Sequence, residues 1–291
     1  MTAQAVETFQ VPSVLLELPD DVYHADPVPE GSLSHSGAKK LLPPSCPALF
    51  RYELDHPPAP KKQFDFGHAA HKLVLGVGAE LVVIPGERWD TKAAKEAVAE
   101  ARAAGQVPLK ETEMAQVKAM AEALRAHPLA AALLREGAGQ PEASLFWRDP
   151  DTHVVRRGRI DWLPVESRGR MIVVDYKSAA CAEPGAFSRS AIEYGYCSQA
   201  PWYLDGVQAL DLADDTAAFL FIVQEKPAPY LVSVVELDAL ALRIGRHRNR
   251  KALATYVQCR TTDNWPDYCG GEVSLVGLPQ WAIRDYEQET A

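Results

Sequence analysis

The chain has 291 residues, 47% hydrophobic and 24% charged, the proportions of a globular protein that can bury a sizeable core as one large domain or two small ones. A net charge of -9 argues against a protein that coats nucleic acid through bulk charge, although basic residues gathered on one face would still allow local contact with phosphate. The five cysteines, Cys46, Cys181, Cys197, Cys259 and Cys269, are odd in number and scattered with no C-x-x-C pair, which speaks against a disulfide framework, a zinc site or an iron–sulfur cluster.

At the N-terminus no basic start leads into an apolar run, so no secretory signal is expected. No apolar stretch approaches the roughly 20 residues that span a bilayer, and a cytoplasmic protein without a membrane partner is expected. Residues 1–30 are rich in Pro and Asp, show no sustained period and read as an irregular arm. Ser36 precedes an apolar-periodic stretch, 38–54, broken by Pro43, Pro44 and Pro47 into two short helices. Pro57, Pro58 and Pro60 mark a loop. Helical spacing returns over 64–75, and the Ala-rich stretches 91–104 and 112–135 read as two further helices.

From Glu142 the pattern changes. Residues 143–147, 153–163 and 171–176 alternate or run apolar with β-branched residues, as strands do. A helix is predicted over 187–210, strands over 219–223 and 230–235 about a Pro-containing turn, and a helix over 238–256. The tail from residue 261 has few signals. The expected organisation is an arm (1–30), one domain (31–260) with a helical part (31–140) and an α/β core (141–260), and a tail (261–291). Basic residues gather at Lys39 with Lys40, Lys61 with Lys62, Arg156, Arg157 and Arg159, and from Arg246 to Lys251; those beside Asp161 are the foremost candidates for phosphate contact.

The chemistry centres on Gly158-Arg159-Ile160-Asp161, followed fourteen positions after Asp161 by Asp175-Tyr176-Lys177. A hairpin turning about Ser167 and Arg168 sets Asp161 almost opposite Asp175. The strand period of two places Lys177 on the same face and turns Tyr176 away. Two carboxylates held close repel unless a cation lies between them, and a hard divalent ion such as magnesium suits oxygen ligands. Lys177 either orients or deprotonates a metal-bound water or neutralises developing charge, and the sequence leaves these roles open. Read alone, the same residues describe an exposed hairpin with a solvated lysine. Upstream, His68 and His71 share a helix face, and no third histidine or cysteine near them completes a zinc site. Downstream, Gln199 and Tyr203 lie four apart on one helix face.

Taken in order, Gly67-x-x-x-His71, Glu142, Gly158-Arg159-Ile160-Asp161, Asp175-Tyr176-Lys177 and Gln199-x-x-x-Tyr203 resemble the motif series of the RecB-type branch of the PD-(D/E)XK superfamily of nucleases, and in particular the nuclease domain of exodeoxyribonuclease VIII and its phage relatives. Ser32-Leu33-Ser34-His35-Ser36, Pro47-Ala48-Leu49-Phe50, Gly195-Tyr196-Cys197-Ser198-Gln199 and Glu225-Lys226-Pro227 extend the likeness, which runs from about residue 32 to 268. The resemblance implies an α/β fold with a restriction-endonuclease-like core, a central mixed β-sheet flanked by helices, and a helical N-terminal portion. It implies that His71, Asp161, Asp175 and the Tyr176 carbonyl bind Mg2+, with Mn2+ as a substitute, that Glu142 lies close to the metal, and that Asp161, Asp175 and Lys177 are catalytic. Gln199 and Tyr203, like Arg157 and Arg159, are expected to support the site or contact DNA. Asp175 stands where many members carry Glu, and the cysteine set of the cluster-bearing branch is missing.

The implied activity is exonucleolytic digestion of linear duplex DNA from an end, in the 5′-to-3′ direction, in a bacterial or phage-infected cell. The implied partners are duplex DNA ends and a single-strand annealing protein, and the implied assembly is a homo-oligomer, a ring that DNA threads. A catalytically silent DNA-binding module, or a nuclease acting on single strands or internally, fits the same residues.

Overall fold

A computed structural model describes residues 9–56, 65–86, 88–165 and 169–290. The loop predicted at 57–60, Lys61 with Lys62, and the predicted turn centre at Ser167 and Arg168 lie outside the described residues.

The strands that the sequence marks by apolar runs form the middle of one sheet. Ile172–Ala179 (β7) and Ala218–Glu225 (β8) pair in parallel and are largely buried, as strands covered on both faces must be. Val155–Pro164 (β6) and Gly139–Arg148 (β5) pair antiparallel beside them. Val232–Glu236 (β9) closes one edge antiparallel to β8, and Ser13–Leu15 (β1) closes the other against β5. The order is β1-β5-β6-β7-β8-β9, with Leu33–Ser34 (β2) lying parallel against β6. The result is the expected central mixed sheet flanked by helices.

One face of the sheet carries Leu145, Trp147, Val173, Phe219 and Phe221, packed under His35–Lys40 (α2), Pro47–Asp55 (α3), Pro184–Glu193 (α8), Tyr196–Ala209 (α9) and Ala239–Thr262 (α10). The other face carries Trp162, Val174, Tyr176 and Ile222 against Asp65–Leu75 (α4), Glu111–Ala126 (α6) and Pro128–Leu133 (α7). Each fully buried Leu, Ile or Phe of these clusters is worth about 1.5–3 kcal/mol, so the two layers hold the sheet's central strands firmly in register.

Several boundaries differ from expectation for local reasons. The helix predicted over 187–210 breaks at Gly195, whose φ of +79° is left-handed and begins α9 afresh. The helix over 112–135 breaks before Pro128, where His127 Nδ1 accepts the Ala130 amide at 3.2 Å and caps α7. Leu81–Val83 (β3) and Val107–Leu109 (β4) pair in a separate sheet and are too short to show a period, while Lys92–Ala103 (α5) lies where the Ala-rich pattern sets it.

The N-terminal expectation is corrected. Residues 9–30 are not an irregular arm: β1 joins the sheet, Asp20–His24 (α1) follows, and Tyr23 and Val28 are buried against Phe146 and Val155. A three-residue strand and a five-residue helix carry no periodic signal, and their order comes from contacts with β5 and β6. In the tail, Gln280–Thr290 (α11) forms a helix with no buried residue. All five cysteines are free, and among the described residues no helix is long and apolar enough to cross a membrane.

Candidate active site

Strand register places the acids. β5 pairs Pro141 with Trp162 and Ala143 with Ile160, so Glu142 stands opposite Asp161. β6 pairs Trp162 with Val174, so Asp161 stands opposite Asp175. Three carboxylates therefore lie in a row across three neighbouring strands. Beyond this point β6 and β7 part, because β6 takes β2 as its partner at Arg156 and Arg157. At the fork the Tyr176 amide donates to Asp161 Oδ2 at 2.8 Å rather than to a backbone carbonyl. Glu142 has φ +52°, left-handed for a residue with a Cβ, a conformation that costs about 1–3 kcal/mol and clusters at functional sites.

Helix α4 adds His71. Its Nε2 lies 2.8 Å from Asp161 Oδ2 and its Nδ1 3.1 Å from Glu142 Oε1, so one imidazole joins two strands. Burial disfavours charge on His71, but Asp161 and Glu142 outweigh it and push its pKa up to about 10. Burial likewise works against the Asp161 anion, and His71 reverses this and holds Asp161 below the usual carboxylate range. Asp175, 1% exposed, is pushed up to about 7 by burial and by the Asp161 charge. Its Oδ1 accepts from Gln199 Nε2 at 2.7 Å, and Lys177 Nζ lies 2.7 Å from its Oδ2. Burial opposes the Lys177 charge, yet Asp175 and Asp161 keep its pKa above the ordinary lysine value. Beside the acids, an open cavity of about 870 Å³ is lined by His24, His68, His71, Glu142 and Arg159.

The structure thus brings His71, Glu142, Asp161, Asp175, Lys177 and Gln199 together. Tyr176 turns to the opposite face, where its hydroxyl donates to Gln224 Oε1 at 2.8 Å and Gln224 Nε2 donates to the Met120 carbonyl at 2.8 Å. Tyr203 is a buried support rather than a surface contact: a Cβ on Gly158 would come within 2.4 Å of its ring. Arg157 and Arg159, expected at phosphate, are largely covered and already paired with acids, Arg159 at the wall of that cavity. Arg157 binds Ser32 and Asp26, and Arg159 binds Ser144, Asp20 and the Leu18 carbonyl, so both tie residues 18–32 to the sheet. Arg156 is sandwiched between Trp147 and Trp202, 4.9 and 4.1 Å from the ring centres, and paired with Asp149 and Asp205. A guanidinium taken from water needs partners, and each arginine of the run has an acid beside it.

Two supports were given no role in the sequence reading, although His35 stood in one of the stretches that extend the likeness. Gln224 is the polar residue at the end of the apolar run 218–223, and that oddity was its signal. His35, its pKa lowered to about 3 by burial, is neutral and meets Ser198 Oγ at 2.9 Å, next to Gln199.

The donor set fits a hard divalent cation. His71, Glu142 and Asp161 each offer a ligand atom within 4.8 Å of the others. Asp175 Oδ2 is buried without an aligned hydrogen bond, although the Lys177 ammonium is near. A cation that binds through His71 must displace its proton. With His71 protonated below about pH 10 and Asp175 already ionised above about 7, affinity for Mn2+ is expected to rise about tenfold from pH 8 to 9. Calorimetry in buffers of differing ionisation enthalpy should then count about one proton released; an affinity independent of pH would remove His71 from the ligand set.

A family profile described as a PDDEXK-like domain of unknown function (DUF3799) matches residues 34–274. Among curated proteins none matches. A crystal structure of a candidate exonuclease from Eubacterium rectale superposes with a TM-score of 0.61 at 12% identity, over 92% of this chain and 98% of that one. The protein SSO0001 superposes with a TM-score of 0.30 at 11% identity, over 69% and 86%, too distant to bear on the fold.

Proposed function

The chain belongs to the PDDEXK-like family DUF3799, and from that premise we propose that it is a metal-dependent exonuclease that hydrolyses phosphodiester bonds of linear duplex DNA from an end, in the 5′-to-3′ direction. The observation that carries the reading is the row of Glu142, Asp161 and Asp175 across three strands, with His71 and Lys177 against it. The shared fold with the candidate exonuclease is consistent with it.

When bound, a divalent ion such as Mg2+ would lower the pKa of a water and draw charge from the phosphate. The residues that would hold it are His71, Asp161, Asp175, the Tyr176 carbonyl and Glu142. Lys177 is positioned as an ammonium: flanked by two carboxylates, it donates protons to hydrogen bonds and offsets the negative charge that grows on the phosphate. Gln199 keeps Asp175 turned toward the fork, and Asp161 is held by the Tyr176 amide, so both carboxylates are fixed before substrate arrives. An oligomer enclosing the duplex suits an acidic chain, since topology rather than bulk charge would then retain the DNA. The single strand left behind would be the substrate of an annealing protein.

The test uses end-labelled linear duplex, a closed circle and single strands, each with Mg2+ and with EDTA. Loss of linear duplex alone, in Mg2+ alone, is the expected outcome. Cutting of the circle would make the protein an internal nuclease, and no cutting anywhere would leave a binding module.

A further inference from the structure

The Lys177 ammonium lies 5.0 Å from the centre of the Tyr196 ring. Tyr196 is held from behind by Phe187, stacked at 5.8 Å, and by Phe221 at 5.7 Å. Its ring is 5.8 Å from that of Tyr194, which is 51% exposed. Gly195 between them is left-handed, and the Lys39 stem crosses it so closely that a Cβ there would lie 2.8 Å from Lys39 Cδ. The Lys39 ammonium donates to the Tyr194 carbonyl at 3.1 Å while the residue remains exposed. An outward aromatic ring, a second ring braced by the core and two ammonium groups thus form a step at one side of the candidate site. Burial does not account for the outer ring, because half of it faces water. Its surroundings match a nucleotide, which offers a flat π-face and an anionic phosphate within one unit.

We propose that Tyr194, with Tyr196 behind it and Lys39 beside it, is a stacking subsite for one unpaired base of the DNA terminus, the Lys39 ammonium meeting the adjoining phosphate. The inference rests on the nuclease reading above and deepens it: the strand end is engaged frayed or overhanging rather than fully paired. Stacking on an aromatic ring tolerates any base, so the subsite selects unpaired structure without selecting sequence.

The test is fluorescence anisotropy with the full chain in EDTA, so that neither cutting nor metal binding contributes. The probes are a labelled duplex with a five-nucleotide single-stranded overhang and the same duplex blunt-ended. Tyr194→Ala and Tyr194→Leu are expected to weaken overhang binding about tenfold and leave blunt binding unchanged, while Tyr194→Trp retains it. Lys39→Gln should flatten the salt dependence of overhang binding. Unchanged overhang affinity in Tyr194→Ala, equal weakening on both probes, or no overhang binding by the wild type would overturn the subsite. So would a change of oligomeric mass in Tyr194→Ala with DNA binding intact, which would make the ring a protein contact. Failure of the nuclease reading shows separately, as a wild type that cuts no DNA in Mg2+.

Discussion

Lys177→Ala is expected to lower the rate of phosphodiester hydrolysis by about a thousandfold or more, with duplex binding and fold retained. The ammonium sits 2.7 Å from Asp175 and beside Asp161, where both carboxylates keep it charged. Its removal takes away the one cation that β7 supplies at the place where negative charge would develop. Breaking a buried ion pair usually threatens the fold, because it leaves an uncompensated charge. Here the remaining carboxylate has an escape: burial and Asp161 have already pushed Asp175 up to about 7, so it can take a proton near neutrality. Circular dichroism should therefore show an unchanged spectrum. Asp175→Asn keeps the Gln199 hydrogen bond but loses the anion, and it is expected to lose cutting and metal binding together. Activity within tenfold of wild type in both variants would discard the site assignment.

Gly245→Ala should destabilise the protein by about 3 kcal/mol or more, read as a lower urea midpoint. In most helices this change is favourable by about 1 kcal/mol, since alanine has the higher propensity. The packing reverses the sign. Pro201 lies inside α9 and has no N–H, so the carbonyl four residues before it, that of Cys197, has no helical donor. Helix α10 presses Gly245 against that carbonyl, and an added Cβ would sit 1.8 Å from the oxygen and 2.9 Å from Pro201 Cγ. The obstacle is backbone, which cannot rotate aside. Asn249, one turn on, ties the same helices by donating to the Ser198 carbonyl at 2.9 Å. Separating α9 from α10 would also shift Gln199, so residual nuclease activity should fall with stability. A variant as stable as wild type would mean that the two helices do not cross so closely.

What was legible in the amino-acid order was local or nearly so. The period of two placed Asp175 and Lys177 on one face and Tyr176 on the other, and the register expected between the two strands set Asp161 opposite Asp175, as the pairing of Trp162 with Val174 has it. The helical stripes predicted over 64–75 and 238–256 were visible because each buries a face in a long element, and the structure sets those helices at 65–75 and 239–262. Contacts between distant segments were decided by the tertiary structure. His71 reaches Asp161 across 90 positions only because α4 packs on the face carrying Trp162 and Tyr176. The left-handed Glu142 is tolerated because β6 pairs with both of its neighbours, Pro141 and Ala143. Arg157 and Arg159, whose partners the sequence left open, pair with Asp26 and Asp20 because the N-terminal segment covers β5 and β6 and brings those acids to them. A guanidinium takes whichever acid the fold places beside it, and a string of residues does not say which that will be.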